Sequence, residues 1–231
     1  MSCCDGRCPP PGRAGRGGAP EIELEISGVG SDGAGLGRDA GLAVFVPGAL
    51  PGERVRVRIR ERKKNYARVE LLAVLQPSPR RIAPACPVYG VCGGCAWQQV
   101  DYEYELELKR QIVAQTLRRV GGVEIAAPLP LPAQRPLYYR NRAILHAAAA
   151  EKGFALGFYS GKSRRLCPAD DCLLLMPPLK RLQALLRQML PDYAAAFIGL
   201  RALALRCNSS GSALLLTLIA ERPLPADALH D

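Results

Sequence analysis

The chain has 231 residues, 48% of them hydrophobic, which is enough for one large domain or two small ones with buried cores. Its start lacks the run of about seven or more apolar residues that marks a signal peptide, and no later apolar run approaches the ~20 residues that cross a bilayer. We therefore expect a soluble, cytoplasmic protein that does not use a membrane.

The formal net charge of +10 is concentrated in two segments. Residues 53–68 carry eight Arg or Lys against two Glu, and residues 135–165 carry seven against one, so each segment has a net charge of +6 and the rest of the chain sums to −2. Concentrated basic patches are typical of proteins that bind a polyanion, most often a nucleic acid. The alternative is a solvated surface that only keeps the protein soluble.

Residues 1–19 are rich in Gly, Pro and Arg and contain Cys3, Cys4 and Cys8, with almost no large apolar side chain. Such a segment cannot bury enough apolar surface to offset the entropy of ordering it. We predict a disordered tail.

Residues 20–76 are predicted to form short strands. Acidic and apolar residues alternate in Glu21–Ile26, as they do in a half-buried strand. A glycine-rich loop then leads into Leu42–Val46, a further strand, and since a phosphate-binding glycine loop opens a helix, we interpret this loop as part of a hairpin. Four or five short strands over about sixty residues predict a small barrel of the oligonucleotide-binding type.

One strand of this barrel and the turn after it are strongly basic. Their cations are Arg54, Arg56, Arg58, Arg60, Arg62, Lys63 and Lys64. Like charges in one row destabilise a sheet unless a polyanion relieves their repulsion, so we interpret this face as an RNA-binding surface. The alternative is an ordinary sheet face laced with salt bridges. Tyr66, which begins the next strand, is a candidate for stacking on a base or for the core.

Residues 77–132 are predicted to hold a cysteine loop and a linking helix. Cys86, Cys92 and Cys95 follow a C-x5-C-x2-C spacing, so their thiolates can converge on one centre. Gly93 and Gly94 let the backbone approach that centre and point N–H groups at sulfur. Because cytosolic thiols stay reduced, the nine cysteines of the chain indicate metal or cluster binding rather than disulfides.

A fourth ligand has to come from another segment, and Cys167 and Cys172 are the candidates. Tetrahedral zinc and a four-iron cluster both accept four cysteines, so the spacing leaves both open.

The linking helix is predicted to be capped by Asp101 and stopped by Gly121. An apolar stripe predicts that it packs against another element. The stripe consists of Tyr102, Leu106, Val113, Leu117 and Val120.

Residues 133–231 are predicted to form a second α+β domain. Strands are expected at Leu137–Ala147, Phe154–Tyr159, Leu203–Cys207 and Ala213–Ala220, with a helix from Pro177 to about Leu190.

Three segments resemble a known family. Asp32-Gly-Ala-Gly, Val44–Glu53 and the basic strand are similar to a TRAM domain. The cysteine loop, with Gln98, Tyr102, Leu106 and Lys109 after it, resembles the cluster loop of bacterial 23S ribosomal RNA (uracil-5-)-methyltransferases. Tyr139–Arg142 and Leu156–Phe158 resemble the start of their central RNA-binding domain, so the resemblance covers roughly residues 21–220.

The resemblance implies S-adenosylmethionine-dependent methylation of uracil C5, a [4Fe–4S] cluster and RNA, expected to be ribosomal, as the partner; no obligate protein partner is inferred. It also implies that Arg140, Arg142 and Phe158 contact RNA, although Phe158 also suits a core position. The fourth cysteine of the family is followed by a short apolar stretch, a proline and a helix, a pattern that Cys172 matches. We therefore expect Cys86, Cys92, Cys95 and Cys172 as ligands, and Cys207 as a structural thiol.

The expected fold class is α+β: a five-stranded barrel, the cysteine loop, a helix and a central antiparallel α+β domain. The sequence reaches Asp231 without a cofactor-binding glycine loop, so we expect the Rossmann-like methyltransferase domain to be absent from the chain and the chain alone to be inactive. No catalytic or S-adenosylmethionine-binding residue is assigned. The competing functions are a stand-alone RNA-binding iron–sulfur protein and a zinc-stabilised nucleic-acid-binding module.

Overall fold

The computed structural model describes residues 19–128, 130–149, 154–161, 163–190, 192 and 197–223, without the side chains of 149 and 154. The chain divides after Pro79 into two compact units. The predicted tail of residues 1–19 lies outside the described residues except at its last position. In the described part of the chain, neither helix combines the length and the apolar character needed to cross a membrane.

The first unit is a closed five-stranded barrel. Its strands are β1 (Glu21–Val29), β2 (Gly35–Asp39), β3 (Leu42–Val46), β4 (Arg54–Arg62) and β5 (Tyr66–Gln76), in the spatial order β1-β2-β3-β5-β4. Neighbouring strands are antiparallel except for β3 and β5, which are parallel. Closure leaves the barrel without an open sheet edge.

Apolar side chains from alternate positions of the strands fill the interior of the barrel. Val55 and Val57 on β4 are fully buried, while Arg56 between them faces outward. On β1, Leu24 and Ile26 point inward between exposed glutamates. This period of two produces one apolar interior and one charged exterior from the same strands.

A buried carboxylate closes one end of this unit. The Glu53 side chain is completely buried, and it accepts hydrogen bonds from the backbone N–H groups of Leu50 at 2.8 Å and Ser78 at 3.2 Å. A buried charge is tolerated when such donors satisfy it. Glu53 thereby ties the turn before β4 to the segment after β5.

The second unit contains the cysteine loop, two helices and one sheet. Helix α1 spans Tyr102–Gly121 and α2 spans Pro177–Met189. The strands are β6 (Arg142–Ala149), β7 (Phe154–Tyr159), β8 (Leu166–Cys167), β9 (Leu200–Cys207) and β10 (Leu214–Ala220), in the antiparallel order β10-β9-β6-β7-β8. Leu179 and Leu186 of α2 join Leu145 and Leu203 in the core, so α2 covers one face of the sheet.

Strand β6 begins later than the sequence predicted. Residues 138–140 pair with the segment after Cys172 instead: the N–H groups of Tyr138 and Arg140 donate to Leu173 O at 2.9 Å and Leu174 O at 2.7 Å. Tyr138 has a positive φ of 58°, which breaks the strand conformation. The prediction of a strand that starts at Leu137 is wrong, because residues 138–140 pair with the segment after Cys172 and the strand starts only at Arg142.

Helix α1 has the predicted ends and a different packed face. The Asp101 side chain accepts from the Tyr104 N–H at 3.0 Å, and Gly122, at φ 64°, forms the left-handed C-cap one residue beyond the predicted stop. Among the described residues of the helix, Leu108 is the buried one, and Val120 is 84% exposed. The stripe prediction is wrong for Val113 and Val120, which face solvent in this unit.

Candidate metal centre and nucleic-acid interface

The four predicted ligands line one cavity. It has a volume of about 30 Å³, lies within the second unit and includes Cys86, Cys92, Cys95 and Cys172 in its wall. Most of the other lining side chains are apolar. They are Val88, Phe158, Ala169, Leu173 and Leu174. The fold therefore brings three cysteines of one loop and a fourth from 77 residues farther along the chain to a common space.

Hydrogen bonds orient three of these cysteines. The Gln98 amide donates to Cys95 Sγ at 3.1 Å, and its carbonyl oxygen accepts from the Cys86 N–H at 3.2 Å. The Gly94 N–H points at Cys92 Sγ at 3.4 Å. Donors directed at sulfur stabilise its negative form, which is the form that binds a metal. Gln98 is a positioning residue that sequence reasoning noted without assigning it a role.

The cavity disfavours free thiolates. Burial raises the pKa of the Cys92 and Cys95 thiols, and the neighbouring Cys172 thiol raises it further. The Gly94 N–H at Cys92, the Gln98 amide at Cys95 and the charge of Arg140 act in the opposite direction. These thiols are therefore protonated at neutral pH without a metal, and metal binding has to release protons, so affinity falls as the pH falls.

The Tyr89 side chain stabilises the turn of the cysteine loop through hydrogen bonds. The Tyr89 hydroxyl donates to the Ala96 carbonyl at 2.7 Å and also contacts the Gln99 side chain. Burial raises the pKa of Tyr89 to about 12, so the phenol stays protonated and remains a donor.

Two glycines let the cysteine loop dock against the end of β7. The Gly93 N–H donates to Tyr159 O at 3.0 Å, and the Gly161 N–H donates to Val91 O at 3.2 Å. A Cβ at Gly93 would lie 2.8 Å from the Gly161 Cα, closer than real contacts allow. Gly93 therefore serves backbone pairing, whereas the N–H that points at sulfur belongs to Gly94.

The two candidates for the fourth ligand occupy different places. Cys172 lies in the cavity wall and packs, partly buried, against the core. Cys167 is 1% exposed in β8, where it pairs with Phe158, and it is not among the described residues that line the cavity. Cys207 is also buried, and its thiol contacts Met176 Sδ at 3.6 Å. The arrangement gives Cys167 and Cys207 packing roles.

The thiols of the cavity are not arranged around one point. Within the described residues, no three His, Cys, Asp or Glu side chains are placed so that they could hold a single metal ion. Four sulfurs around one zinc would each lie about 2.3 Å from it, whereas the ligands of a four-iron cluster bind four different irons and stay farther apart. Four cysteines in the wall of one cavity are a donor set that both a zinc ion and a four-iron cluster accept.

Two residues predicted to contact RNA lie at this cavity. The Arg140 side chain is half-buried in the cavity wall, where its charge favours the thiolates. Phe158 also lines the cavity and packs against the core. The RNA contacts of Arg140 and Phe158 stay predictions. In this structure both side chains form part of the wall of the cysteine cavity.

The arginine row of the barrel forms salt bridges with glutamates of the same barrel. Arg54 and Arg56 both bind Glu23, at 3.1 and 2.9 Å, and Arg58 binds Glu21 at 2.6 Å. The β1–β4 register causes this, since it sets the glutamates of β1 directly opposite these arginines. The Arg56 guanidinium accordingly holds the pKa of Glu23 below its ordinary value.

The arginines of β4 therefore do not need a polyanion to relieve their repulsion, because the glutamates of the neighbouring strands relieve it; the prediction based on this repulsion is wrong. The face is the salt-bridged one that the sequence left as the alternative, and Arg60 is also paired, with Glu70. RNA contact by Arg54, Arg56 and Arg58 stays a prediction without that support. The alternating glutamates of β1 were the signal that could have revealed the pairing.

A different patch of the barrel combines an aromatic ring with cations. Lys63 Nζ lies 5.8 Å and the Arg68 guanidinium 6.0 Å from the centre of the Tyr66 ring, and Phe45 meets that ring edge to face at 6.1 Å. Lys63 also pairs with Glu61 at 3.1 Å. Lys64 and Arg68 are exposed, and neither makes an ion pair among the described residues. Cations beside a half-exposed ring are typical of nucleic-acid-binding surfaces.

A family model identifies the first unit. The model, described as the TRAM domain, matches residues 20–72. This range covers β1 to β4 and most of β5, and a closed five-stranded barrel agrees with it.

Curated RNA methyltransferases are similar to nearly the whole chain. An uncharacterized RNA methyltransferase of Thermosynechococcus vestitus is 37% identical over 211 residues, which are 89% of this chain and 47% of that protein. One from Synechocystis is 38% identical over 215 residues, 88% of this chain and 46% of that protein. The chain is thus related to RNA methyltransferases and spans about half the length of the curated relatives it matches.

A solved structure shares the fold. The crystal structure of Pyrococcus abyssi tRNA (uracil-54, C5)-methyltransferase in complex with S-adenosyl-L-homocysteine aligns with a TM-score of 0.58 at 22% identity. The alignment covers 90% of this chain and 48% of that chain. At this identity the likeness is one of fold.

The predicted fold class is wrong as stated. It described a protein from whose chain the Rossmann-like methyltransferase domain is absent, but the relatives and the solved neighbour are methyltransferases of which this sequence matches 47% and 48%. Because the sequence covers only part of such proteins, the position at which it stops carries no information about their remaining domains. The predicted absence of an S-adenosylmethionine-binding domain and the predicted inactivity therefore have no support.

Proposed function

We propose that this chain is the RNA-binding and cluster-binding part of a cytoplasmic, S-adenosylmethionine-dependent methyltransferase that acts on uracil C5 in 23S ribosomal RNA. The observation that carries the proposal is the convergence of Cys86, Cys92, Cys95 and Cys172 on one cavity in a chain that also holds a TRAM barrel. The similarity to RNA methyltransferases supports the activity. The resemblance of the cysteine loop to ribosomal RNA enzymes supports the target.

The cavity is proposed to hold a [4Fe–4S] cluster through its four cysteines. The apolar wall, the N–H donors at sulfur and the nearby charge of Arg140 are features that stabilise an anionic cluster. When bound, the cluster links the loop of Cys86 to the segment of Cys172. It would thereby stabilise a region that contains little regular secondary structure.

Exchange of single cysteines tests this ligand set. We expect Cys172→Ser to lose most of its bound iron and visible absorbance after anaerobic reconstitution, because its thiol lies in the cavity wall. Cys167→Ser is the matched control and is expected to keep both, since Cys167 packs in β8. Iron retained by the Cys172 variant and lost by the Cys167 variant would reverse the assignment. Zinc in place of iron would reject the cluster.

The barrel patch around Tyr66 is proposed to bind RNA. Lys64 and Arg68 are the cations that support this, since the arginines of β4 are already paired with glutamates. Neutralising phosphates with unpaired cations releases counterions, which makes binding depend on salt. The half-buried ring of Tyr66, 6.0 Å from the Arg68 guanidinium, offers a stacking surface beside it.

A salt titration tests the barrel patch. We expect the double variant Lys64→Ala/Arg68→Ala to bind a structured RNA more weakly, with the slope of log affinity against log salt reduced in magnitude by about 0.7–0.9 for each lost phosphate contact. The control removes the same charge at Arg118 and Arg119, two exposed residues of α1, and is expected to leave the slope unchanged. Equal slopes in both variants would mean that this patch is only solvated.

The RNA target is tested in cells that lack the gene. Mass spectrometry of digested RNA is expected to show the loss of one 5-methyluridine from 23S ribosomal RNA while that of transfer RNA persists. Loss confined to transfer RNA would contradict the target. Unchanged 5-methyluridine in both RNAs would contradict the activity and favour a stand-alone RNA-binding iron–sulfur protein.

A further inference from the structure

The segment that precedes Cys172 is held by the helix that follows it. Residues 168–174 lie between β8 and α2 and contain neither helix nor strand, so their course depends on tertiary contacts. Residues 169–171 each contact one side chain of α2. The three pairs are Ala169 with Gln183, Asp170 with Arg187, and Asp171 with Lys180. The position of the fourth cysteine therefore depends on α2.

The sequence of α2 suits this arrangement. Lys180, Gln183 and Arg187 are spaced three and four residues apart, so they form one line along the helix. Leu179 and Leu186, in the neighbouring line, are buried in the core of the second unit. The helix thus packs against the sheet with one line of residues and holds the segment before Cys172 with the next.

The contact of Gln183 is buried. Gln183 is 1% exposed, and its amide donates to the Ala169 carbonyl at 2.6 Å. Ala169 itself lines the cysteine cavity, so this bond fixes the cavity wall three residues before Cys172. Removal of a buried donor leaves its acceptor unsatisfied, which destabilises that arrangement of the backbone.

Arg187 connects the same segment to the sheet. Its guanidinium pairs with the Asp170 carboxylate at 2.7 Å and donates to the Leu156 carbonyl of β7 at 2.6 Å. The Arg187 side chain is partly buried, whereas Asp170 is exposed. The bond to β7 fixes the guanidinium, so Asp170 meets a cation that is already in place.

Lys180 contacts the residues on both sides of the ligand. It pairs with Asp171, which precedes Cys172. Its Nζ also lies 5.0 Å from the centre of the Tyr138 ring, and the Tyr138 N–H donates to the carbonyl of Leu173, which follows Cys172. One ammonium group thus links the two backbone segments that hold the fourth cysteine at the cavity.

The charge of Lys180 acts on Cys172 as well. The hydrogen bond to Asp171 raises the pKa of Lys180, the negative charges of Asp171, Tyr138 and Cys172 raise it further, and partial burial opposes them. The amine is therefore protonated at neutral pH. A cation near a cysteine favours the thiolate, which is the form that binds a metal. Arg140 has the same effect on two cysteines of the loop.

We propose that α2 positions Cys172 for metal binding through Lys180, Gln183 and Arg187, and that the Lys180 ammonium stabilises the metal centre on this side of the cavity. The inference rests on the proposed function, which supplies the metal centre, and it adds the residues that orient its fourth ligand. A ligand that is already held in place needs less ordering when the metal binds.

The two aspartates explain why cations are needed here. Four thiolates leave either a zinc ion or a four-iron cluster with a net negative charge. Asp170 and Asp171 directly precede the fourth ligand, so their unpaired carboxylates would repel such a centre. Lys180 and Arg187 neutralise them. An ordinary surface ion pair contributes little to stability, but here the pairs lie beside an anionic site.

Breaking one salt bridge from either side tests the proposal. Lys180→Met and Asp171→Asn remove the same contact from partly exposed side chains, so the core stays intact. We expect both variants, reconstituted with iron, to lose it to a chelator about 10-fold faster than the unaltered chain, the lower end of the effect of residues that orient metal ligands. Loss of visible absorbance measures the rate.

The reduction potential separates the charge of Lys180 from its contact. Removal of a cation favours the more oxidised centre, so Lys180→Met is expected to lower the potential. Asp171→Asn removes an anion and is expected to raise it. Lys180→Arg keeps the charge and is expected to retain the potential of the unaltered chain. Arg181→Met makes the same charge change at the exposed neighbouring residue and is expected to behave as the unaltered chain does.

Iron retention equal to that of the unaltered chain in both Lys180→Met and Asp171→Asn would overturn the proposal, as would potentials that shift in the same direction. If the unaltered chain takes up zinc instead of iron, the proposed cluster fails, and zinc release to a chelator tests the role of α2. Faster release from Lys180→Met than from Arg181→Met is then expected, and equal rates would overturn the inference. If the unaltered chain binds neither metal, both fail.

Discussion

The second unit depends on a small set of backbone hydrogen bonds that bring distant cysteines together. Gly93 and Gly161 allow the cysteine loop to lie against the end of β7, with a contact of 3.0 Å to Tyr159 O. Residues 138–140 hold the segment that follows Cys172 through the bond from Arg140 to Leu174 O at 2.7 Å. Any side chain in place of Gly93 would separate these segments. The four cysteine thiols line one cavity because these hydrogen bonds hold their backbone segments next to each other.

The positive charges of the chain fall into two groups, those paired with carboxylates and those without such a partner among the described residues. The arginines of β4 are matched by glutamates of β1, so they form part of a stable barrel surface. Lys64, Arg68, Arg142 and Arg206 have no such partners among the described residues. Net charge along the sequence does not distinguish these cases. Arg68, which has no such partner, lies beside the Tyr66 ring, an arrangement typical of nucleic-acid-binding surfaces.

Local patterns predicted the elements well and their partners poorly. The alternation of charged and apolar residues predicted strands β1 and β4. The N-cap of α1 could also be predicted, because Asp101 caps the helix that follows it directly in the sequence. The pairing of Arg56 with Glu23 was missed because it follows from the register of strands 33 residues apart. The place of Arg140 at the cysteine cavity was missed for the same reason. Cys172 was separable from Cys167 through family resemblance, since spacing alone left both open.

The proposed four-iron cluster is held by the four cysteines, and X-ray absorption spectroscopy of the anaerobically purified chain tests this proposal most directly. The predicted result is an iron spectrum with sulfur neighbours and an additional iron–iron shell, which a single ion cannot produce. A zinc spectrum with sulfur neighbours alone at about 2.3 Å would contradict the account, because it would mean that the thiols close around one ion.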